Sequence, residues 1–215
     1  METRLTNNAN TAFKARLIAK ARVKANNQLI DLYALNSSDV NFAKKLSSTI
    51  DLKKQYPNLS NYEDFDAWTN IIKNGLLKVG SSDVVLACYN KKPCGIMSFH
   101  KNDNQIILSN LAKWRAMPNE DVSHVGKILM HHLFDCGHKN NSLNISLYSS
   151  FATPRGKSCK DFYSKLGFRR SINNSMNLLG VDYSAKAKEL EKYFDYKKIK
   201  NAPNINLEET FSSIV

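Results

Sequence analysis

The stretch that decides the fold is WRAMPNEDVSHVGKIL, residues 114–129. It continues an apolar run that starts at Gln105, passes through Pro118 into a polar turn, and then shows helical spacing of apolar residues from Val125 onward. This pattern predicts a strand, a loop and the start of a helix. Backbone N–H groups in the first turn of a helix lack intrahelical partners and can bind an anion, and Gly126 would let a ligand approach closely. The pattern alone favours an ordinary strand–helix joint.

Composition bounds the class of protein. The chain has 215 residues, 42% of them hydrophobic, and a formal net charge of +12. It can bury a core as one large domain or a domain with extensions. The charge favours an acidic partner such as nucleic acid, an anionic surface or a polyanionic cofactor, although a solvated lysine-rich surface gives the same value.

The cysteines and the apolar runs indicate the compartment. No two of the four cysteines form a C-x-x-C pair, so we expect neither a disulfide framework nor a zinc knuckle. A reducing cytoplasm fits this cysteine pattern best. No apolar run is long enough for a signal sequence or a membrane span, so we expect a cytoplasmic protein with no membrane partner.

Three parts of the chain are expected. Residues 1–27 form a basic N-terminal extension, in which Phe13, Leu17, Ile18 and Ala21 predict a short amphipathic helix that could touch nucleic acid or a partner. Residues 28–181 form the main domain. Residues 182–215 form a C-terminal helix, predicted over 182–200, and a weakly patterned tail.

The main domain alternates strands and helices in a definite order. A strand at 28–35 precedes a helix start at 36–39 and a second helix over 60–78. Three strands on short turns, beginning near residues 83, 94 and 105, predict an antiparallel meander. The helix of the opening stretch runs to about residue 138, and the remaining pattern predicts a strand at 143–148, a short helix at 159–166 and two last strands at 168–170 and 176–179.

Several familiar sites are not supported. There is no H-E-x-x-H or paired-cysteine metal motif, no G-x-S-x-G elbow, no Walker loop and no dinucleotide fingerprint. His132 and Cys136 are four residues apart on the predicted helix, but Lys127, His131, Asp135 and His138 trace one polar stripe. We therefore interpret this face as a solvated helix surface and expect no metal.

The order of these elements, together with three motifs, resembles the GNAT superfamily of acyl-CoA-dependent N-acyltransferases over residues 29–179. Trp114-x-Ala116-x-Pro118 is similar to the end of that family's fourth strand. Residues 121–126 are in register with its pyrophosphate loop, [Arg/Gln]-x-x-Gly-x-[Gly/Ala], with Asp121 at the Arg/Gln position and His124 at the first Gly. Residues 163–168 read YSKLGF and resemble its Tyr-x-Lys-x-Gly-Phe signature.

The resemblance implies a fold and a cofactor. The fold would be α/β (α+β), a mixed, mostly antiparallel GNAT-like central sheet with helices on both faces. Acetyl-CoA would be the co-substrate, with Lys127 offsetting the charge of Asp121. The residues expected to bind it are Trp114, Arg115, Ala116, Asp121, Val122, Ser123, His124, Val125, Gly126 and Lys127.

The resemblance also implies a reaction, the transfer of an acetyl group to a primary amine of a small molecule or protein. Tyr163 matches the general acid, and backbone N–H groups near residues 115–117 would stabilise the oxyanion. No Asp or Glu lies between Gln105 and Asn119, so the base is left open between a water relay through Ser109, His100 or Tyr148 and a carboxylate from residues 63–66. The alternative is a non-catalytic GNAT-fold protein that binds nucleic acid or a protein partner through its basic surface.

Overall fold

The computed structural model describes residues 15–57, 62–117, 120–149, 159–172 and 175–211. Within these residues ten strands form one sheet, in the order β10-β1-β2-β3-β4-β5-β6-β8-β7, with β9 also paired to β1. The strands are β1 (Ala15–Val23), β2 (Leu29–Leu35), β3 (Asp83–Tyr89), β4 (Lys92–Asn102), β5 (Gln105–Lys113), β6 (Asn144–Tyr148), β7 (Arg169–Arg170), β8 (Ser175–Leu179), β9 (Phe194–Lys198) and β10 (Asn204–Ile205).

Helices cover both faces of this sheet. The helices are α1 (Val40–Thr49), α2 (Leu52–Gln55), α3 (Tyr62–Leu77), α4 (Val125–Lys139), α5 (Cys159–Lys165), α6 (Tyr183–Leu190) and α7 (Leu207–Thr210). Phe42 of α1 and Ile72 of α3 belong to one buried core, whereas Phe134 of α4 and Leu190 of α6 belong to the other. This architecture confirms the predicted class, a mixed and mostly antiparallel sheet with helices on both faces.

The predicted meander is present as β3, β4 and β5, which pair antiparallel in sequence order. Asn90 and Lys91 connect the first two strands with φ of 48° and 60°, the left-handed conformation that tight hairpin turns require. On β4, Gly95 faces the start of α4, where an added Cβ would lie 2.4 Å from Cγ1 of Val125. The glycine therefore lets α4 begin directly against the sheet.

One strand pair breaks the antiparallel pattern. β5 and β6 run parallel, with α4 as their crossover, and their pairing extends from Gln105 and Asn144 only as far as Leu108 and Leu147. β5 continues to Lys113, and a register shift in its ladder with β4 leaves Ser109 as an extra, bulged residue. β5 therefore runs five residues beyond its last pair with β6, which ends at Tyr148, and we call the space beside this unpaired part of β5, at the end of β6, the wedge.

The basic N-terminal segment is not a helix where the structure describes it. Residues Ala15–Val23 are β1, an internal strand paired with β2 on one side and with β9 and β10 on the other. Ala19, Ala21 and Val23 are all buried, which is the period-two pattern of a strand. Phe13 and the residues before it lie outside the described ranges.

The C-terminal prediction was wrong in its second half. The helix ends at Leu190, and Phe194–Lys198 form β9 against β1, with Phe194 opposite Val23. The reason is that β1 would otherwise present an unpaired edge, which β9 satisfies. The tail is also ordered where described, because β10 pairs with β1 and Phe211 is buried. The expected division at residues 27 and 181 stays a prediction.

The middle of the polar stripe on α4 is not solvated, although His138 at its end is exposed and Lys127 is half-buried. His131 is 3% exposed and Asp135 8% exposed, because the segment from Glu191 to Lys198 covers them. Asp135 is paired with Lys198 and Lys139, His131 lies 3.2 Å from Glu191 Oε1, and Nδ1 of His132 lies 3.1 Å from the hydroxyl of Tyr196. We call this set the α4–β9 network. A polar face of an isolated helix is thus buried by partners that satisfy its charges.

The described chain has three further properties. No helix in it is long and apolar enough to cross a membrane. All four cysteines fall within it as free thiols. It holds no group of three histidine, cysteine or acidic side chains arranged to bind a metal ion.

Candidate active site and cofactor cleft

The wedge between β5 and β6 is the central feature of the site. Cys159, the first residue of α5, packs against both hydrophobic cores although these lie on opposite faces of the sheet. A side chain can touch both cores only where the sheet is open. We infer that the start of α5 lies at the wedge, since Phe162 of the same helix packs against Gly126 in the first turn of α4.

The loop that leads into α4 is held by a side chain from the β1–β2 hairpin. The backbone N–H of Ser123 donates to Oε1 of Gln28 at 3.0 Å, and its hydroxyl donates to the same atom at 3.3 Å. Nε2 of Gln28 donates to the carbonyl of Asp121 at 3.4 Å. Sequence reasoning missed Gln28, because a polar contact over 95 residues leaves no periodic signal.

The residue immediately before α4 adopts an unusual backbone conformation. His124 has φ 61° and ψ 6°, in the left-handed region, and its side chain makes no cap hydrogen bond. This conformation is the one glycine adopts most easily, and the family's pattern has glycine at this position. The imidazole lies 5.2 Å from the ring of Tyr193, and burial, together with Lys127 and Lys113, lowers its pKa.

The charge of Asp121 is balanced by a different lysine from the one expected. Nζ of Lys113 lies 3.0 Å from Oδ1 of Asp121 and also donates to the carbonyl of Val122 at 3.2 Å. Lys127 instead points toward Tyr193, with its Nζ 3.2 Å from the ring centroid. Asp121 and Val122 thus secure the loop to the end of β5, and Val122 and Val125 are fully buried.

The predicted residues at the end of β5 divide into two groups. The backbone N–H of Trp114 donates to the carbonyl of Cys94, and the indole is buried in the α1–α3 core. Arg115 turns toward α2, where its Nη1 donates to the carbonyl of Gln55 at 2.7 Å and its guanidinium lies 4.4 Å from the ring centroid of Tyr56. Ala116 packs partly on the α4 side. Pro118 lies outside the described residues.

Tyr163 lies on α5 next to the first turn of α4. Its ring makes edge contacts with Phe162 and Phe168, at centroid distances of 5.2 and 5.8 Å. Phe162 in turn lies over Gly126, where an added Cβ would be 3.4 Å from its Cζ. Burial, and then the nearby Cys159, raise the pKa of Tyr163, so its hydroxyl is protonated at neutral pH.

The structure separates the candidates for the base. Ser109 is exposed at the bulge, and Tyr148 is exposed at the end of β6, so both border the open end of the wedge. His100 pairs in register with Ile107 at the closed end and lies 3.0 Å from the hydroxyl of Ser82. Asp66 forms an ion pair with Lys53 at 3.1 Å, and the side chains of Glu63 and Asp64 lie outside the described part.

Comparison with known proteins gives structural matches only. No protein-family model matches the sequence, and no curated protein matches it. Among solved structures, the chain is similar to the PaiA N-acetyltransferase of Thermoplasma acidophilum in complex with coenzyme A, at 17% identity and a TM-score of 0.48, covering 70% of this chain and 99% of that one.

Two further solved structures give similar values. A GNAT-family putative acetyltransferase of Desulfovibrio desulfuricans matches at 12% identity and a TM-score of 0.46, covering 70% of this chain and 98% of that one. A GNAT-family acetyltransferase of Staphylococcus aureus matches at 17% identity and 0.44, again covering 70% and 98%. All three of these solved structures are acetyltransferases by name, and the last two are named as members of the GNAT family.

Proposed function

We propose that this chain is an N-acetyltransferase that moves an acetyl group from acetyl-CoA to a primary amine. The observation that supports this most strongly is the wedge. β5 is unpaired on its β6 side beyond Leu108, close to the first turn of α4, so it offers a place for a thioester arm next to backbone donors for the phosphates.

The residues at the start of α4 fit a pyrophosphate. The first intrahelical bond runs from Ile128 N–H to the carbonyl of His124, so the N–H groups of Val125, Gly126 and Lys127 precede the helical ladder. The N–H of Ser123 already donates to Gln28 and is not a donor for the ligand. The absence of a side chain at Gly126 and the positive end of the helix dipole favour the approach of an anion.

The chemistry that follows requires three proton or charge adjustments. The amine must lose a proton before it attacks, since a lysine-type amine has a pKa of about 10.4. Its nitrogen then bonds to the thioester carbonyl carbon, and backbone N–H groups at residues 115–117 would stabilise the oxyanion. Collapse breaks the carbon–sulfur bond, and the hydroxyl of Tyr163 gives its proton to the leaving thiolate, while the attacking nitrogen loses its remaining extra proton to water, from which Tyr163 is reprotonated.

Deprotonation of the amine is assigned to water at the open end of the wedge. Ser109 and Tyr148 are the exposed polar side chains at that end, and neither is a carboxylate. A water held between them would carry the proton to solvent. The free thiols of the chain suit a reducing compartment, which supports a cytoplasmic location.

The test is transfer of label from [¹⁴C]acetyl-CoA to pooled primary amines, namely polyamines, amino sugars and lysine peptides. We expect label in at least one pool and none with the Gly126→Asp variant as the control. Acetyl-CoA binding without transfer to any pool would favour the non-catalytic alternative. Transfer by Gly126→Asp equal to that of the unmodified chain would contradict the proposed cofactor site.

A further inference from the structure

A small basic groove lies between α4, α5 and α6, next to the first turn of α4. Its volume is about 110 Å³. Its lining includes four lysines, Lys127, Lys165, Lys186 and Lys192, and the aromatic side chains of Phe162 and Tyr193. We call it the lysine groove.

The charges of the lysine groove are largely uncompensated. Its one carboxylate, Glu189, is paired with Lys186 at 3.0 Å. Lys127, Lys165 and Lys192 form no ion pair within the described residues, and the ammonium groups of Lys127 and Lys192 both lie over the ring of Tyr193, at 3.2 and 5.1 Å from its centroid. Ammonium groups gathered at one place repel each other, so binding an anion there relieves the repulsion.

The lysine groove begins where the proposed pyrophosphate position ends. Lys127 belongs to the first turn of α4, and Phe162, which lines the groove, packs against Gly126 of that same turn. In the proposed pose the pyrophosphate of the ligand lies at Val125–Lys127 and its thioester lies in the wedge. The nucleotide end of the ligand must then lie on the other side of the pyrophosphate. In coenzyme A that end carries a further phosphate on the ribose 3′ oxygen.

We propose that the lysine groove binds the ribose 3′-phosphate of the acyl-CoA. This inference rests on the proposed function. Lys192 and Tyr193 come from the turn between α6 and β9, beyond the residues that resemble the acyltransferase family, so the C-terminal segment contributes a phosphate contact of its own. The groove then selects coenzyme A over dephospho-coenzyme A, which lacks only the 3′-phosphate.

The experiment is calorimetric titration of the full chain with coenzyme A and with dephospho-coenzyme A at one low salt concentration. We expect dephospho-coenzyme A to bind at least about tenfold more weakly, since a charge-assisted hydrogen bond contributes roughly that factor. Lys165→Gln and Lys192→Gln should each weaken binding of coenzyme A several-fold and leave binding of dephospho-coenzyme A unchanged.

The matched control is Lys188→Gln, which removes the same charge from an exposed position on α6 that does not line the groove. It should change neither affinity. Equal affinity of the unmodified chain for the two ligands would overturn the inference and leave the proposed function standing. The inference would also be overturned if Lys165→Gln and Lys192→Gln weakened the binding of both ligands equally, or if Lys188→Gln had the same effect as they do. A general electrostatic attraction between the basic surface and the ligand would then explain the result. Binding of neither ligand would refute the proposed function itself.

Discussion

Tyr163 has two roles open to it, proton donor and packing residue, and the structure gives grounds for both. Its ring fills the space between Phe162 and Phe168, as a packing residue would. Its hydroxyl is protonated at neutral pH, as a proton donor must be, and burial raises its pKa further. The two roles differ only in the oxygen atom, which can be removed without disturbing the ring.

The variant Tyr163→Phe separates these roles. We expect it to fold and to bind acetyl-CoA as the unmodified chain does, while turnover falls by about 10²- to 10⁴-fold, the usual contribution of one general acid. The measurement is steady-state kinetics with the amine that accepts label. Unchanged turnover would assign Tyr163 to packing alone, and the thiolate would then take its proton from water.

At the level of single residues, some features could be predicted from the sequence and others could not. The register that set His124 at a glycine position placed it at a backbone site with φ of 61°. The partner of Asp121 was expected to be Lys127 and is Lys113, since β5 carries Lys113 alongside the loop. Gln28 left no signal at all. Backbone conformation follows from local pattern, whereas the partners of polar side chains depend on how distant segments meet.

At the scale of elements, the contact between β4 and α4 sets the position of the first turn of α4 and of the loop that precedes it. In Gly95→Ala the new Cβ meets Cγ1 of Val125, a stiff β-branched side chain, so α4 must shift. We expect a loss of about 1–3 kcal/mol in the free energy of unfolding, as is usual for overpacking, measured by urea denaturation. Acetyl-CoA affinity should fall as well, because the first turn of α4 moves.

A double-mutant cycle with Val125→Ala checks the cause. In that background the methyl group that causes the clash is gone, so Gly95→Ala should cost clearly less than it does alone. The same cost in both backgrounds would locate the strain elsewhere, at the carbonyl of Ala112 or the side chain of Ala87, each 3.4 Å from the added Cβ.

The α4–β9 network makes stability depend on pH. Burial lowers the pKa of His131 and takes that of His132 to about 4. Although burial acts in the opposite direction, Lys198 and Lys139 hold the pKa of Asp135 below its usual value. The unfolded chain, whose histidines have a pKa of about 6.5, therefore binds more protons than the folded chain between about pH 6.5 and 4.

It follows that the free energy of unfolding falls as pH drops through this range, by up to about 1.4 kcal/mol per pH unit for each extra proton bound. His132→Gln removes one of these groups. The free energy of unfolding, measured by urea denaturation, should then fall less steeply between pH 7 and 4.5. His138→Gln, at the exposed end of the same helix, is the control and should keep the slope. A slope unaffected by His132→Gln would show that this histidine does not couple folding to pH.

The same network explains why the second half of the C-terminal helix was predicted wrongly. Ala187, Leu190 and Phe194 share a helical spacing, and nothing local distinguishes Phe194 from the other two. The edge of β1, and Asp135 on α4, both need partners from this segment. A strand supplies the backbone hydrogen bonds and places Lys198 at Asp135, so tertiary contacts override the local period.

At the scale of the whole molecule, the element order from β2 to β8 could be predicted because each element has its own period and its own turn signals. The central meander, α4 and the short α5 follow directly from those patterns. The pairing of β1 with β9 and β10 at the sheet edge could not be predicted, because it brings together segments from the two ends of the chain.

The most direct measurement is calorimetric titration of the full chain with acetyl-CoA, compared with two variants that each add one negative charge to α4. Gly126→Asp adds it at the first turn, where it stabilises the helix by about 0.3–1 kcal/mol but repels a pyrophosphate. Asn140→Asp adds it at the exposed far end. We predict saturable binding by the unmodified chain and by Asn140→Asp, and none by a fully folded Gly126→Asp. No binding by the unmodified chain at millimolar acetyl-CoA, or undiminished binding by Gly126→Asp, would contradict the account.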